Sequence, residues 1–188
     1  MSMNAGSPHT RPLPGDAALT RPSLAAMLRV NHAGEYGAKR IYAGQIAVLR
    51  DHPLRPELEH MAAQEQVHLD AFNRLLPEHR VRPTALLPLW HVAGFALGAG
   101  TALLGPKAAM ACTVAVESVI TEHYDRQIAQ PDIVGPELQQ TLQQFRDEEM
   151  EHHDTGLAHA AEEAPLYPLL SGAIKTACRA AIWISARI

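Results

Sequence analysis

One pattern is written twice along the chain, and it limits the fold more than any other feature. Glu35 is followed seven residues on by Tyr42, and thirty residues after Glu35 comes Glu65 with His68 three further on. Glu117 is followed seven residues on by Tyr124, and thirty-two residues after Glu117 comes Glu149 with His152. A solvated helix face has no reason to repeat itself in this way; an internal repeat does. Glu-x-x-His alone is weak, since chance supplies roughly one match in a chain with 13 Glu and 11 His. Three occur, Glu57/His60 being the third. That pair has no matching half-repeat and is assigned to the surface.

Helical geometry turns the spacing into a site. Residues three apart share a helix face, so a Glu and a His can reach one metal ion, and seven residues is close to two turns, which sets each Tyr on the face of its Glu. The surrounding sequence is helical in character. After Pro22 helix formers dominate and no alternating strand pattern occurs, while proline-bearing breaks at 52–56, 75–88, 105–107, 130–136 and 164–168 divide the chain. Helices are expected near 23–51, 55–76, 88–104, 107–129, 137–163 and 167–186. The first, second, fourth and fifth are long enough for an antiparallel four-helix bundle. Folding each half-repeat as a hairpin then points Glu35, Glu65, His68, Glu117, Glu149 and His152 into one core.

Four carboxylates and two imidazoles are the ligand inventory of ferritin-like sites for two iron or two manganese ions. The charges support it: four buried carboxylates without cations carry a heavy desolvation cost, which two divalent ions balance. Oxygen-rich donors with imidazole suit iron or manganese. Cys112 and Cys178 form no CxxC pair, which disfavours structural zinc and a disulfide framework and fits a reducing compartment. In the dense stretch "RDEEMEHHDTG", local spacing alone leaves Glu148 or Glu149 as the partner of His152; the repeat selects Glu149. His153, Glu151 and Asp154 fall toward solvent, and Asp147 is a candidate to orient a ligand. His32, His123 and Tyr124 are further candidates to orient ligands by hydrogen bonds.

From Pro83 to Pro106 the chain carries no Asp, Glu, Lys or Arg. A span needs roughly 20 apolar residues, and this segment also holds His91 and four glycines within 94–105. It is expected to lie in or dip into one leaflet, the alternative being a buried core helix. The last helix sets Lys175, Arg179 and Arg187 among apolar residues and Trp183, a pattern compatible with a membrane interface. The formal charge of -4 and the lack of a basic cluster exclude nucleic acid as a partner. Residues 1–22 are polar and proline-rich without an apolar stretch, so they are expected to form a flexible tail rather than a signal peptide, leaving 23–188 as one domain.

The stretches "LRVNHAGEYGAKRIYAGQ", "EQVHLDAFN", "AVESVITEHYDRQI" and "FRDEEMEHHDTGLAHAAEEAP" together resemble the demethoxyubiquinone hydroxylases of ubiquinone biosynthesis. The resemblance runs from about residue 23 to the C-terminus and departs at no ligand position. It implies an all-α, ferritin-like bundle with added membrane-associating helices. It also implies an O2-dependent di-iron monooxygenase, attached peripherally to the cytoplasmic face of the cell membrane, that hydroxylates a polyprenylated demethoxy-benzoquinol. The iron ligands would be Glu35, Glu65, His68, Glu117, Glu149 and His152, with His123 and Tyr124 at positions associated with electron transfer. No GxGxxG fingerprint is present, so an external electron donor is expected, and other ubiquinone-biosynthesis proteins or further copies of the chain are candidate partners. Two other readings use the same residues differently. A soluble ferritin-like oxidase, iron store or manganese catalase would keep the six ligands and bind no lipid, and a non-enzymatic helical membrane scaffold would bind lipid and no metal.

Overall fold

The computed structural model describes residues 23–188; the expected tail at 1–22 lies outside them. Six α-helices follow in order: α1 (Leu24–Val48), α2 (Arg55–Glu78), α3 (Leu87–Leu103), α4 (Pro106–Ile128), α5 (Pro131–Ala158) and α6 (Tyr167–Ser185). A single 3-10 turn, Ala161–Glu163, follows α5, and no strand occurs among the described residues. The expected 137–163 helix therefore stops early. The backbone of Ala160 turns into the left-handed region and ends it.

Local chemistry sets the other boundaries. The Ser23 hydroxyl accepts a hydrogen bond from the backbone N–H of Ala26 at 3.2 Å and caps α1. Proline stands in the first turn of α2 through α6, where its missing N–H removes no intrahelical bond. Gly105, at φ 116°, turns the chain from α3 into α4, and Gly135, at φ 69°, puts a kink near the start of α5; both are conformations glycine adopts without steric cost.

Helices α1, α2, α4 and α5 form the bundle. One apolar cluster joins the α1–α2 turn to the start of α4 through Leu49, Leu54, Leu58, Met61 and Met110. A second joins the start of α1 to the ends of α2 and α4 and the start of α5 through Leu28, Phe72, Leu76, Tyr124 and Leu142. These pairings of starts with ends make α1 antiparallel to α2 and α4 antiparallel to α5. The six polar residues of the repeat lie between the two clusters.

Outside the bundle, α3 packs on α1 and α6 packs on α4. Contact between α3 and α1 is close because it is made by glycine: a Cβ added at Gly98 would come within 1.9 Å of the Ile41 carbonyl oxygen, and one added at Gly44 within 2.3 Å of that of Phe95. Trp90 Nε1 donates to Ser185 Oγ at 3.1 Å and ties α3 to α6. Only Gly94, Gly98, Thr101 and Ala102 of α3 are buried, so it is no core helix. Leu89, Val92 and Leu103 stand exposed along it and Leu104 just after it, as do Leu169 and Trp183 along α6 and Leu166 just before it. No described helix is long and apolar enough to cross a membrane.

Candidate metal centre

All six residues of the duplicated pattern meet in the bundle core, each at 0–2% exposure. Glu35 comes from α1, Glu65 and His68 from α2, Glu117 from α4, and Glu149 and His152 from α5. Ligand atoms of Glu35, Glu65, His68 and Glu149 lie within 4.8 Å of one another, as do those of Glu65, Glu117, Glu149 and His152. Glu65 and Glu149 belong to both groups, so the geometry offers two adjacent positions with two shared carboxylates.

The two halves interlock. Tyr42 Oη donates to Glu117 Oε1 at 2.9 Å, and Tyr124 Oη donates to Glu35 Oε1. Each tyrosine thus holds the carboxylate of the other half-repeat. The histidines follow the same rule. His68 Nε2 donates to Glu148 Oε2 at 2.5 Å, and His152 Nε2 donates to Gln64 Oε1 at 3.0 Å. Phe145 stacks on the His68 ring with centroids 4.0 Å apart, which fixes the plane of the imidazole.

With each Nε2–H directed outward, each Nδ1 presents a lone pair inward. His68 Nδ1 lies 3.3 Å from Glu35 Oε2 and 3.1 Å from Glu149 Oε1. His152 Nδ1 lies 3.1 Å from Glu149 Oε2 and 3.4 Å from Glu65 Oε1. Lone pairs facing carboxylate oxygens repel unless a cation sits among them. Glu35 Oε2, both oxygens of Glu65 and Glu117 Oε2 are buried without any hydrogen-bond donor. Each such orphan costs about 1–3 kcal/mol. Four carboxylates, four orphaned oxygens and two inward imidazole nitrogens fit a pair of divalent cations.

Protons are the alternative cations. Burial, reinforced by Glu149 and the other carboxylates, pushes Glu65 and Glu117 well above the ordinary 4.5. Burial pulls His68 down, but the hydrogen bond to Glu149 and the nearby charge of Glu35 outweigh it and raise the ring to about 12. Burial would likewise raise Glu149; the hydrogen bonds from His152 and His68 instead draw it down to about 2. Metal ions would displace these protons, since ligands bind in their deprotonated forms.

The other candidates are placed as follows. Asp147 orients no ligand: it pairs with Arg146 at 2.7 Å on the surface. His32 bonds Asn73 at 3.1 Å and is lowered by burial. His123 Nε2 lies 2.7 Å from Gln127 Nε2 and hydrogen-bonds to none of the six, and burial lowers it to about 4. Gln127 also exchanges two 2.8 Å bonds with Asn31. Glu57 and His60 are exposed, as expected. Glu148 and Gln64 were not anticipated as histidine partners. Their signal was nonetheless present, because each is the residue immediately before the Glu of a Glu-x-x-His motif.

An apolar cavity of about 190 Å³ adjoins this centre between α1, α3, α4 and α6. Its walls include Gly34 and Val116, the chain neighbours of Glu35 and Glu117, together with Gly37, Trp90 and Cys178. A Cβ added at Gly34 or Gly37 would meet nothing within 4 Å, so the small residues of α1 leave this space open.

The class is thereby defined: a helical bundle whose buried carboxylate–imidazole cluster could hold metal ions, beside an apolar cavity. Residues 22–185 match the model of the family "Ubiquinone biosynthesis protein COQ7". The chain is 56% identical over 173 residues to the mouse (Mus musculus) "NADPH-dependent 3-demethoxyubiquinone 3-hydroxylase, mitochondrial", covering 90% of this chain and 80% of that one. It is 54% identical over 184 residues to the Rhodospirillum rubrum "3-demethoxyubiquinol 3-hydroxylase", covering 94% and 83%. To the Saccharomyces cerevisiae "5-demethoxyubiquinone hydroxylase, mitochondrial" it is 46% identical over 182 residues, covering 88% and 78%. The chain belongs to the COQ7 family of ubiquinone biosynthesis.

Proposed function

We propose that this chain is the O2-dependent di-iron monooxygenase that adds a ring hydroxyl to a polyprenylated demethoxy-benzoquinol in ubiquinone biosynthesis. The observation that carries the reading is the convergence of all six repeat residues on one buried, donor-starved cluster. The hydroxylase names of relatives about half identical over most of the chain supply the reaction. Glu35 and His68 would hold one iron, Glu117 and His152 the other, and Glu65 and Glu149 would bridge. When bound, such a pair supplies the activation of O2 that the polypeptide alone lacks. On this reading the bundle is ferritin-like and residues 23–188 act as one domain.

The chain's own residues orient and shield. Tyr42 and Tyr124 fix the terminal carboxylates, while Gln64 and Glu148 fix the imidazoles. An apolar cavity of roughly 150 Å³ accepts benzene. The 190 Å³ beside Glu35 and Glu117 therefore suits a substituted ring, without room for a polyprenyl tail. The tail would leave between α3 and α6 toward lipid; the exposed apolar residues of those helices support a peripheral seat on a membrane, which on this reading is the cytoplasmic face of the cell membrane. Electrons arrive from an external donor. Tyr124, bonded to Glu35, and its neighbour His123 are our candidates for their route.

Metal analysis combined with liposome flotation separates this reading from its competitors. We expect two iron ions per chain and flotation with the vesicles. Two metals without flotation would favour a soluble oxidase, and flotation without metal would favour a scaffold.

A further inference from the structure

The two halves of the centre match in every ligand but differ in what holds each histidine. His68 donates to a carboxylate and His152 to a neutral amide. Glu148 is itself held: Gln144 Nε2 donates to Glu148 Oε1 at 2.9 Å from one turn earlier on α5. Gln144, Glu148 and the Phe145-stacked His68 thus form a chain that ends at an inward-facing Nδ1. Among the described residues Gln64 Nε2 has no acceptor to hold it, and a T-shaped contact with Tyr42 at 6.0 Å replaces the stack on the His152 ring.

We propose that Glu148 is a positioning residue that makes the Glu35/His68 position the tighter of the two metal sites. The inference rests on the reading of the cluster as a two-metal centre. A carboxylate accepting the outer N–H of a histidine polarises the ring, makes its inner nitrogen a better electron-pair donor and fixes its tautomer. It also places a negative charge one imidazole away from the metal. A neutral amide fixes the tautomer but adds no net charge and polarises the ring less. The shared ligands Glu65 and Glu149 serve both positions, and the terminal carboxylates Glu35 and Glu117 each receive one tyrosine hydroxyl, so these terms cancel between the sites. What remains is the surroundings of each histidine, and of these only the Nε2 partner differs in charge. Since removing such a partner typically lowers metal affinity about 10- to 100-fold, the two positions differ on that order, and they fill in sequence.

The test uses the full chain stripped of metal and titrated anaerobically with cobalt(II), read by calorimetry and by the visible absorption of the bound ion. The unaltered chain should bind two cobalt ions in two resolved steps. Glu148→Gln should weaken only the tighter step, by 10- to 100-fold, and leave helix content unchanged by circular dichroism. Gln64→Glu, in an otherwise unaltered chain, should tighten the weaker step. A single position can be isolated with His152→Ala or His68→Ala. Glu148→Gln should weaken the site that survives in the first and not the one that survives in the second. Superimposable isotherms for the unaltered chain and Glu148→Gln overturn the inference while leaving the two-metal reading intact, as does equal weakening of both steps. Failure of the unaltered chain to bind cobalt overturns both.

Discussion

Tyr42 shows at the scale of one residue how the centre is made rigid before any metal enters. Its hydroxyl is buried and donates to Glu117 Oε1, whose other oxygen has no donor. Tyr42→Phe leaves that carboxylate without any hydrogen bond, and we expect a loss of about 1–3 kcal/mol in the metal-free protein. Tyr36→Phe, which removes only an exposed bond to His91, should cost under about 0.5 kcal/mol. Urea denaturation of the two variants side by side checks the difference; equal losses would contradict it. The six inward residues were legible in the sequence because helical spacing fixes which side chains share a face. Their partners were less so. A two-fold repeat specifies which residues are equivalent without saying whether Tyr42 reaches Glu35 in its own half or Glu117 in the other. Spacing also left Asp147 as a candidate to orient a ligand, although it points to Arg146 and solvent while Glu148, one residue on, faces His68.

At the scale of elements, six helices occur as expected, but α5 is displaced: it starts at Pro131, inside the expected break, which survives only as a kink at Gly135, and the left-handed Ala160 ends it before the expected 163. The packing of α3 was not legible. Apolar all round, it carries no stripe to say which side meets protein, and the decision falls to glycines whose role is close approach. The glycines separate into kinds with different predicted effects. Gly98→Ala sets a Cβ against the backbone of Ile41, so α3 must move off α1, at about 1–3 kcal/mol. Gly100→Ala meets nothing within 4 Å and should be neutral or stabilising by up to about 1 kcal/mol. Chemical denaturation distinguishes the two. Gly37→Leu would instead fill the open cavity. We expect it to raise KM for the quinol with metal content unchanged, and a loss of metal in this variant would show that the cavity and the centre are not separate features.

For the whole molecule, the buried charges predict how stability depends on pH. Glu65 and Glu117 are raised above 4.5, and His68 is raised from 6.5 to about 12. In the metal-free protein these three groups therefore bind more protons folded than unfolded, whereas His32 and His123, lowered by burial from 6.5, bind fewer and offset them below that value. The stability the three raised groups contribute is fully present below their unfolded values and is lost as pH climbs toward their folded ones. Glu149, lowered to about 2, acts oppositely, and its contribution is lost only as pH falls below 4.5. Calorimetry in chelator should show Tm falling from about pH 6.5 to about pH 8. With iron(II) bound, the slope should flatten or reverse, because metal takes the place of the protons and acid competes with it. A steep fall with metal present would count against the six residues as ligands.

The central claim, that this buried cluster hydroxylates a quinol ring, is tested most directly by complementation of a bacterial mutant lacking its own demethoxyubiquinol hydroxylase. Quinones are extracted and quantified by mass for cells carrying the unaltered chain and for cells carrying Glu117→Ala. The unaltered chain should restore ubiquinone, and Glu117→Ala, expressed to the same level, should leave the demethoxy precursor accumulated. Failure of the unaltered chain to restore ubiquinone, or full restoration by Glu117→Ala, would contradict it.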